Sequence, residues 1–154
     1  MRAPRDGWTV ERLGALQDLD AVVAVAEASF LNGWTRAMFV RELERPDTAH
    51  LFVVRGSAGH VAGYCSAWLV SDELHINGLA IAPALRRQGA ARALVRHALG
   101  EGWRLGASEA LLEVRRSNRA ARRLYDAAGF TVRGVRPRYY VQPVDDALIL
   151  GRRL

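Results

Sequence analysis

The sequence predicts a single mixed α/β domain: a central β-sheet flanked by helices, with elements in the order β-α-α-β-β-β-α-β-α-β-β. Three observations carry the prediction. Apolar residues recur at period two in some segments and near period 3.6 in others, and the two kinds alternate along the chain. No Pro/Gly/Ser linker, low-complexity tract or internal repeat interrupts the 154 residues, so residues 1–154 are expected to form one domain. Half the residues are apolar and a quarter charged, and a chain of this length buries roughly 70% of its unfolded surface.

Residues 8–13 open as a short strand. Leu19, Val22, Val23, Ala26 and Phe30 then fall at helical spacing, with Asp18 as the expected N-cap. Thr35 is expected to cap a second helix running to about Arg45, where Pro46 stops it. Residues 51–55 and 61–70 read as strands joined by the turn Gly56-Ser57-Ala58-Gly59. Residues 74–81 form a third strand, ended by Pro83. From Gln88 to about Leu105 the spacing is helical again, with Ala91, Leu94, Val95, Ala98 and Leu99 on one side. Residues 110–114 are a short apolar strand. Ser117 is the expected cap of a helix reaching Ala128, with Gly129 as its stop, and strands at about 131–136 and 147–152 close the chain.

Composition narrows the function classes. No apolar run approaches the ~20 residues that span a bilayer. Residues 1–6 lack an apolar signal core, so a cytoplasmic location is expected. The lone Cys65 excludes an internal disulfide and sits in a strand pattern, as a core residue would. His50, His60 and His97 share no metal-type spacing, and no metal is expected. The net charge of +6 rests on arginine alone, in clusters at 86, 87, 92 and 96 and at 115, 116, 119, 122 and 123. Such clusters suit an anionic cofactor, a nucleic acid or a solvated surface.

The most informative stretch runs Leu79-Ala80-Ile81-Ala82-Pro83-Ala84-Leu85-Arg86-Arg87-Gln88-Gly89-Ala90-Ala91. A buried strand enters a turn, and small residues open a long helix. Backbone N–H groups at a helix start lack intrahelical partners and favour phosphate, and Gly89 and Ala91 would let one approach the main chain. Arg86 and Arg87 add charge. An ordinary helix start with solvated arginines would look the same. Arg86-x-x-Gly89-x-Ala91, however, resembles the Q/R-x-x-G-x-G/A signature of GNAT acetyltransferases. That resemblance implies the GNAT fold and acetyl-CoA as co-substrate, with its pyrophosphate on Arg86, Arg87, Gln88, Gly89, Ala90 and Ala91. It further implies that the backbone of Leu79, Ala80 and Ile81 pairs with the pantetheine arm and directs an N–H at the thioester oxygen.

A second block, Leu112-Glu113-Val114-Arg115-Arg116-Ser117-Asn118, continuing to Leu124-Tyr125 and Ala128-Gly129-Phe130, is similar to the L-E-V-R-x-S-N stretch of RimI-type GNAT enzymes. Asn118 and Tyr125 lie seven apart and share a helix face. The resemblance implies that Asn118 helps to hold the cofactor and that Tyr125 protonates the departing thiolate; the alternative for Tyr125 is core packing. Glu113 stands in an apolar run, where burying an unpaired carboxylate would cost several kcal/mol, so a partner or a task is expected. The resemblance makes it the general base. A structural pair with a nearby arginine competes with that reading. His75 is the alternative base, because an imidazole ordinarily titrates close enough to neutral pH to accept a proton.

The C-terminal block Arg136-Pro137-Arg138-Tyr139-Tyr140, followed by Asp146-Ala147, also resembles RimI-type enzymes, and implies that Arg138, Tyr139 and Tyr140 clamp a peptide backbone. Phe30 and Trp34 resemble the F-P-W-S/T loop of the opposite wall, although three residues separate them here instead of one. The segment after Tyr140 is about two residues short of the pattern. The implied activity is N-acetylation of a protein N-terminus, by analogy the alanine of a ribosomal protein. Lysine side chains or small amines are the alternative acceptors, and a basic RNA- or ribosome-binding module is the rival from another class. No RNA-binding aromatic signature accompanies the arginines, so direct nucleic-acid binding is not expected.

Overall fold

The computed structural model describes residues 7–14, 16–30 and 33–154. Seven strands form one sheet: β1 (Thr9–Arg12), β2 (Ala49–Arg55), β3 (Val61–Val70), β4 (Glu73–Ile81), β5 (Glu109–Arg115), β6 (Thr131–Val141) and β7 (Val144–Arg153). Their spatial order is β1-β2-β3-β4-β5-β7-β6, antiparallel throughout except for the parallel β4–β5 pair. The helices are α1 (Leu19–Ser29), α2 (Arg36–Leu43), α3 (Ala90–Arg104) and α4 (Arg119–Ala127). The element order matches the expected one, apart from one added 3-10 turn at Pro83–Leu85. Among the described residues no helix is long and apolar enough to cross a membrane.

Both faces of the sheet are covered. Leu19, Val22, Val25 and Ala26 of α1 and Phe39 of α2 pack with Leu51, Val53, Tyr64 and Ala80 on one face. On the other, Leu94, Val95 and Ala98 of α3 and Tyr125 of α4 pack with Phe52, Cys65, Leu112 and Val114. Six of the seven residues of β2 are buried, as a strand covered on both faces requires.

Three local expectations need correction. The Asp18 carboxylate makes no cap hydrogen bond; it pairs with the Arg55 guanidinium on the neighbouring strand, a charged partner that outweighs a helix N–H. Asn118, not Ser117, caps α4, with Oδ1 accepting from Ala121 N at 3.1 Å. Ser117 Oγ instead donates to Asp145 at 2.5 Å. The last two strands are longer than 131–136 and 147–152, because β6 and β7 continue to a hairpin end at Val141 and Val144. Thr35 does cap α2, accepting from Met38 N at 3.3 Å.

Candidate active site

The site originates in a break between two strands. β4 and β5 pair only from Glu73↔Glu109 to Ile76↔Leu112. Beyond that point β4 follows β3 to Ile81 while β5 follows β7 to Arg115, so the two diverge. The divergence starts at a bulge: Ala67 pairs with Ile76 and Ser66 with Gly78, leaving Asn77 as the extra residue. This extra residue reverses which side chains face which way. Leu74 and Ile76 point to the α3/α4 face before the bulge; Leu79 and Ile81 do so after it, and Ala80 turns to the α1/α2 face. Strict alternation across residues 74–81 could not reveal this.

The resulting cleft of about 630 Å³ is bordered by Gly78 and Leu79 of β4, residues 112–115 of β5, Tyr125 and the α1–α2 connection. Past Ile76, alternate main-chain groups of β4 are directed at the gap with no strand among the described residues to receive them. An extended, amide-bearing arm can add to such an edge as a strand would.

Side chains reach the gap from opposite faces. Ala110, Leu112 and Val114 face α3 and α4, so Glu113 faces the α1/α2 side. The bulge places Gly78 on that side too, and Tyr64 and His75 share it. Phe30, Trp34 and Tyr140 border the same cleft. Tyr125 enters from the α3/α4 side, 7% exposed, edge-on to Phe130 at 5.6 Å between centroids. Burial, then the neighbouring Cys65, raises its phenol well above the ordinary 10.0, so it stays protonated at neutral pH.

Glu113 differs from expectation. It is not buried: its side chain is 33% exposed and pairs with Arg136 at 3.1 Å. The partner is not one of the arginines adjacent in sequence. Arg136 stands opposite Ala147 on β6 and Glu113 opposite Ile149 on β5, with β7 between. Two strand spacings, about 9.6 Å, separate the backbones, a gap that a long arginine spans. Glu109 and Arg133 repeat the arrangement at 2.9 Å. His75 Nε2 lies 2.8 Å from Glu73 Oε2. Both His75 and Tyr139 border a second hollow, which also takes in Glu113, Arg136 and Tyr140 and so adjoins the main cleft.

Across the cleft from β5, Trp34 packs on Phe39 at 5.3 Å, and Phe30 is 44% exposed at the end of α1. Leu31 and Asn32, which make up the longer spacing between them, lie outside the described residues. Tyr139 meets Tyr140 edge-on at 5.2 Å, and the Arg115 guanidinium covers the Tyr140 ring at 4.1 Å. Desolvation, then the Glu113 carboxylate, raises the Tyr140 phenol. Arg138 borders neither hollow; its backbone takes φ 51° and its N–H donates to Asp146 Oδ1 at 2.9 Å.

At the start of α3, Gly89 takes φ 92° at the N-cap and Arg87 takes φ 64°. Ala90 and Ala91 follow, keeping side-chain bulk away from the first free N–H groups of a fifteen-residue helix. Trp8 Nε1 donates to Gln88 O at 2.7 Å and fixes the turn. Arg86 is committed elsewhere: its guanidinium donates to Ile81 O at 3.0 Å and Ser29 Oγ at 3.2 Å, tying β4 to α1. Both arginines are exposed, and Arg87 is the one not held by these two bonds. Asn118 borders the cleft, but its oxygen serves the α4 cap, so its amide N–H groups are the part that can reach a ligand. A diverging strand edge and an uncluttered helix start together fit an acyl-CoA.

The family model for GNAT acetyltransferases matches residues 19–130. The chain belongs to the GNAT acetyltransferase family. GNAT enzymes use acetyl-CoA, and this chain is an N-acetyltransferase. It is 38% identical over 135 residues to a Bacillus subtilis protein with the provisional name [ribosomal protein bS18]-alanine N-acetyltransferase, covering 88% of this chain and 89% of that one. The Escherichia coli K12 [ribosomal protein bS18]-alanine N-acetyltransferase is 36% identical over 95 residues, 60% of this chain and 64% of that protein. The crystal structure of the ribosomal-protein-S18-alanine N-acetyltransferase from E. coli superposes with a TM-score of 0.85 at 28% identity, over 95% and 93% of the two chains. Ard1 from Thermoplasma volcanium gives the same TM-score at 25% identity, over 96% and 98%.

Several site residues carried no sequence signal. Tyr64 and Ser66 read as strand interior, Gly78 as a strand glycine, and Arg136 only as part of the tyrosine block. Cys65 is buried, which pushes its thiol up to about 12 and removes it as a nucleophile at neutral pH.

Proposed function

We propose that this GNAT enzyme acetylates the N-terminal α-amine of a protein, an alanine of ribosomal protein bS18 in the cytoplasm, working as a single domain over residues 1–154. The observation that carries the reading is the two-faced cleft. An aromatic wall (Phe30, Trp34, Tyr140) and a carboxylate (Glu113) occupy one face and a buried phenol (Tyr125) the other, with α3 packed on the Tyr125 side of the sheet. An amine entering on the first face meets an acyl-CoA bound along the second. The likeness to the bS18-alanine N-acetyltransferases supports this choice of acceptor.

Acetyl-CoA, when bound, supplies the thioester whose C–S bond breaks as the amine forms its N–C bond. Residues 89–91 hold the pyrophosphate, with Arg87 adding charge, Asn118 contributing amide N–H groups, and the β4 edge at Leu79–Ile81 orienting the thioester. Glu113 takes the amine proton, directly or through water. Tyr125 donates its hydroxyl hydrogen to the departing sulfur, and its raised pKa keeps that hydrogen in place until charge develops. His75, held by Glu73 beside the cleft, is the second candidate base. Freeing an α-amine of pKa ~7.8 at pH 7 costs about 1.1 kcal/mol, against about 4.6 for a lysine of pKa ~10.4. An exposed carboxylate already paired to arginine suits the first task better than the second.

The test is a competition. Purified enzyme, acetyl-CoA and equimolar alanine-first peptide, lysine peptide with a blocked N-terminus, and spermidine are mixed, and initial products are read by mass spectrometry. Acetylation of the alanine-first peptide in excess supports the reading; dominance of either of the others overturns it.

A further inference from the structure

Ser66 combines two properties that rarely coincide. It is 1% exposed, and among the described residues no group hydrogen-bonds its hydroxyl. Leaving a buried hydroxyl unmatched is unfavourable, and native proteins tolerate few such groups. Yet Ser66 also borders the catalytic cleft.

Its position gives the hydroxyl a task. Ser66 lies opposite Gly78 where the Asn77 bulge opens the sheet. It follows Tyr64 by two residues and so shares the α1/α2 face, the face of Glu113 and the acceptor wall, rather than the Tyr125 face. Gly78 keeps the floor open: a Cβ there would meet only the Tyr64 ring, at 3.7 Å from Cε2 and 3.9 Å from Oη. A neutral primary amine attacking a carbonyl carbon aims its lone pair at that carbon and has two N–H bonds left. Glu113 can receive one. The other needs an acceptor, and a serine oxygen buried at the cleft floor has lone pairs to offer.

We propose that Ser66 Oγ accepts a hydrogen bond from the acceptor amine and fixes its lone pair toward the thioester, making Ser66 a binding residue of the acetyl-transfer site. This rests on the reading of the cleft as an amine-acetylation site, and it concerns any primary amine held there.

Ser66→Ala tests it, using whichever primary amine the wild-type enzyme acetylates fastest. That choice separates the two claims: a wild type indifferent to α-amines refutes the proposed acceptor and leaves the Ser66 test intact. The expected result is a fall of about tenfold in kcat/KM for the amine, the equivalent of about 1.4 kcal/mol. The KM for acetyl-CoA should stay unchanged, and Tm should stay equal or rise, because an unmatched buried hydroxyl has been removed. Loss of activity together with retained or increased stability is a signature that a structural serine would not give. An unchanged kcat/KM for the amine overturns the proposal. So does an equal rise in the acetyl-CoA KM, which would put the hydroxyl on the thioester side, or a fall in Tm, which would mark it as bonded within the fold.

Discussion

Replacing Tyr125 by phenylalanine removes one oxygen from a ring whose packing is otherwise unchanged. The ring is almost fully buried and meets Phe130 edge-on, a contact that phenylalanine keeps. The stability change should therefore stay below about 1 kcal/mol, or about 2–4 °C in Tm for a chain of this size. Catalysis should respond very differently. A hydrogen bond to a group developing charge is worth about 1.5–3 kcal/mol, and for a phenol only 7% exposed the upper part of that range applies. About 2.7 kcal/mol corresponds to a 10²-fold fall in turnover. Since the charge appears on sulfur only as the C–S bond breaks, kcat should fall and CoA binding should not. The raised phenol pKa adds a further expectation: the alkaline side of the wild-type profile should carry no ionisation of Tyr125 below pH 10. Steady-state kinetics by thiol release, calorimetry with CoA and a thermal melt give the three readouts. A kcat within twofold of wild type would refute the leaving-group role and return Tyr125 to the core.

Other perturbations bear on the remaining parts. Gly89→Gln places a side chain where φ is 92° and the phosphate must approach, so the CoA Kd should rise at least about tenfold by calorimetry. Glu113→Gln should lower kcat/KM for an alanine-first peptide across the whole pH profile, while His75→Gln should keep most activity; the reverse outcome would move the base to His75. His50 is buried with no hydrogen-bond partner for Nε2 among the described residues, and desolvation, followed by the Arg12 charge, lowers its pKa below the usual 6.5. The unfolded chain thus binds the proton more readily, and stability present above pH 6.5 is lost as pH falls toward the folded value. Melts from pH 7.5 to 5 should show a Tm decrease that is smaller in His50→Gln; an identical slope would remove His50 as a cause.

Local chemistry made much of the fold legible. Thr35 before an apolar-periodic segment, Pro46 after it and the strand–turn–helix passage through Gly89 specify themselves from near neighbours. What the sequence concealed depends on distant partners. Glu113 appeared buried because its neighbours in sequence are apolar, but its strand lies beside the cleft, and its arginine arrives from two strands away. Arg86 looked like a free phosphate ligand until the end of α1 supplied Ser29 as its partner. Asn118 and Ser117 are equally good caps by composition, and Asp145, on another strand, decides between them. The bulge at Asn77 shows in the sequence only as a phase shift, from Leu74 and Ile76 to Leu79 and Ile81 across Asn77-Gly78, and the pairing with β3 reveals that it decides which side chains of β4 face Glu113 and which the α3/α4 core. Ser66 shares that origin: only the opened sheet turns a strand-interior serine into a cleft residue.

Transfer of acetyl to an α-amine can be measured directly. The most direct measurement uses one peptide with a free N-terminal alanine and an internal lysine, incubated with enzyme and acetyl-CoA and sequenced by tandem mass spectrometry. A single acetyl group on the alanine nitrogen, lost altogether when that nitrogen is blocked beforehand, is expected. Acetylation of the internal lysine, with the α-amine left free, would contradict it.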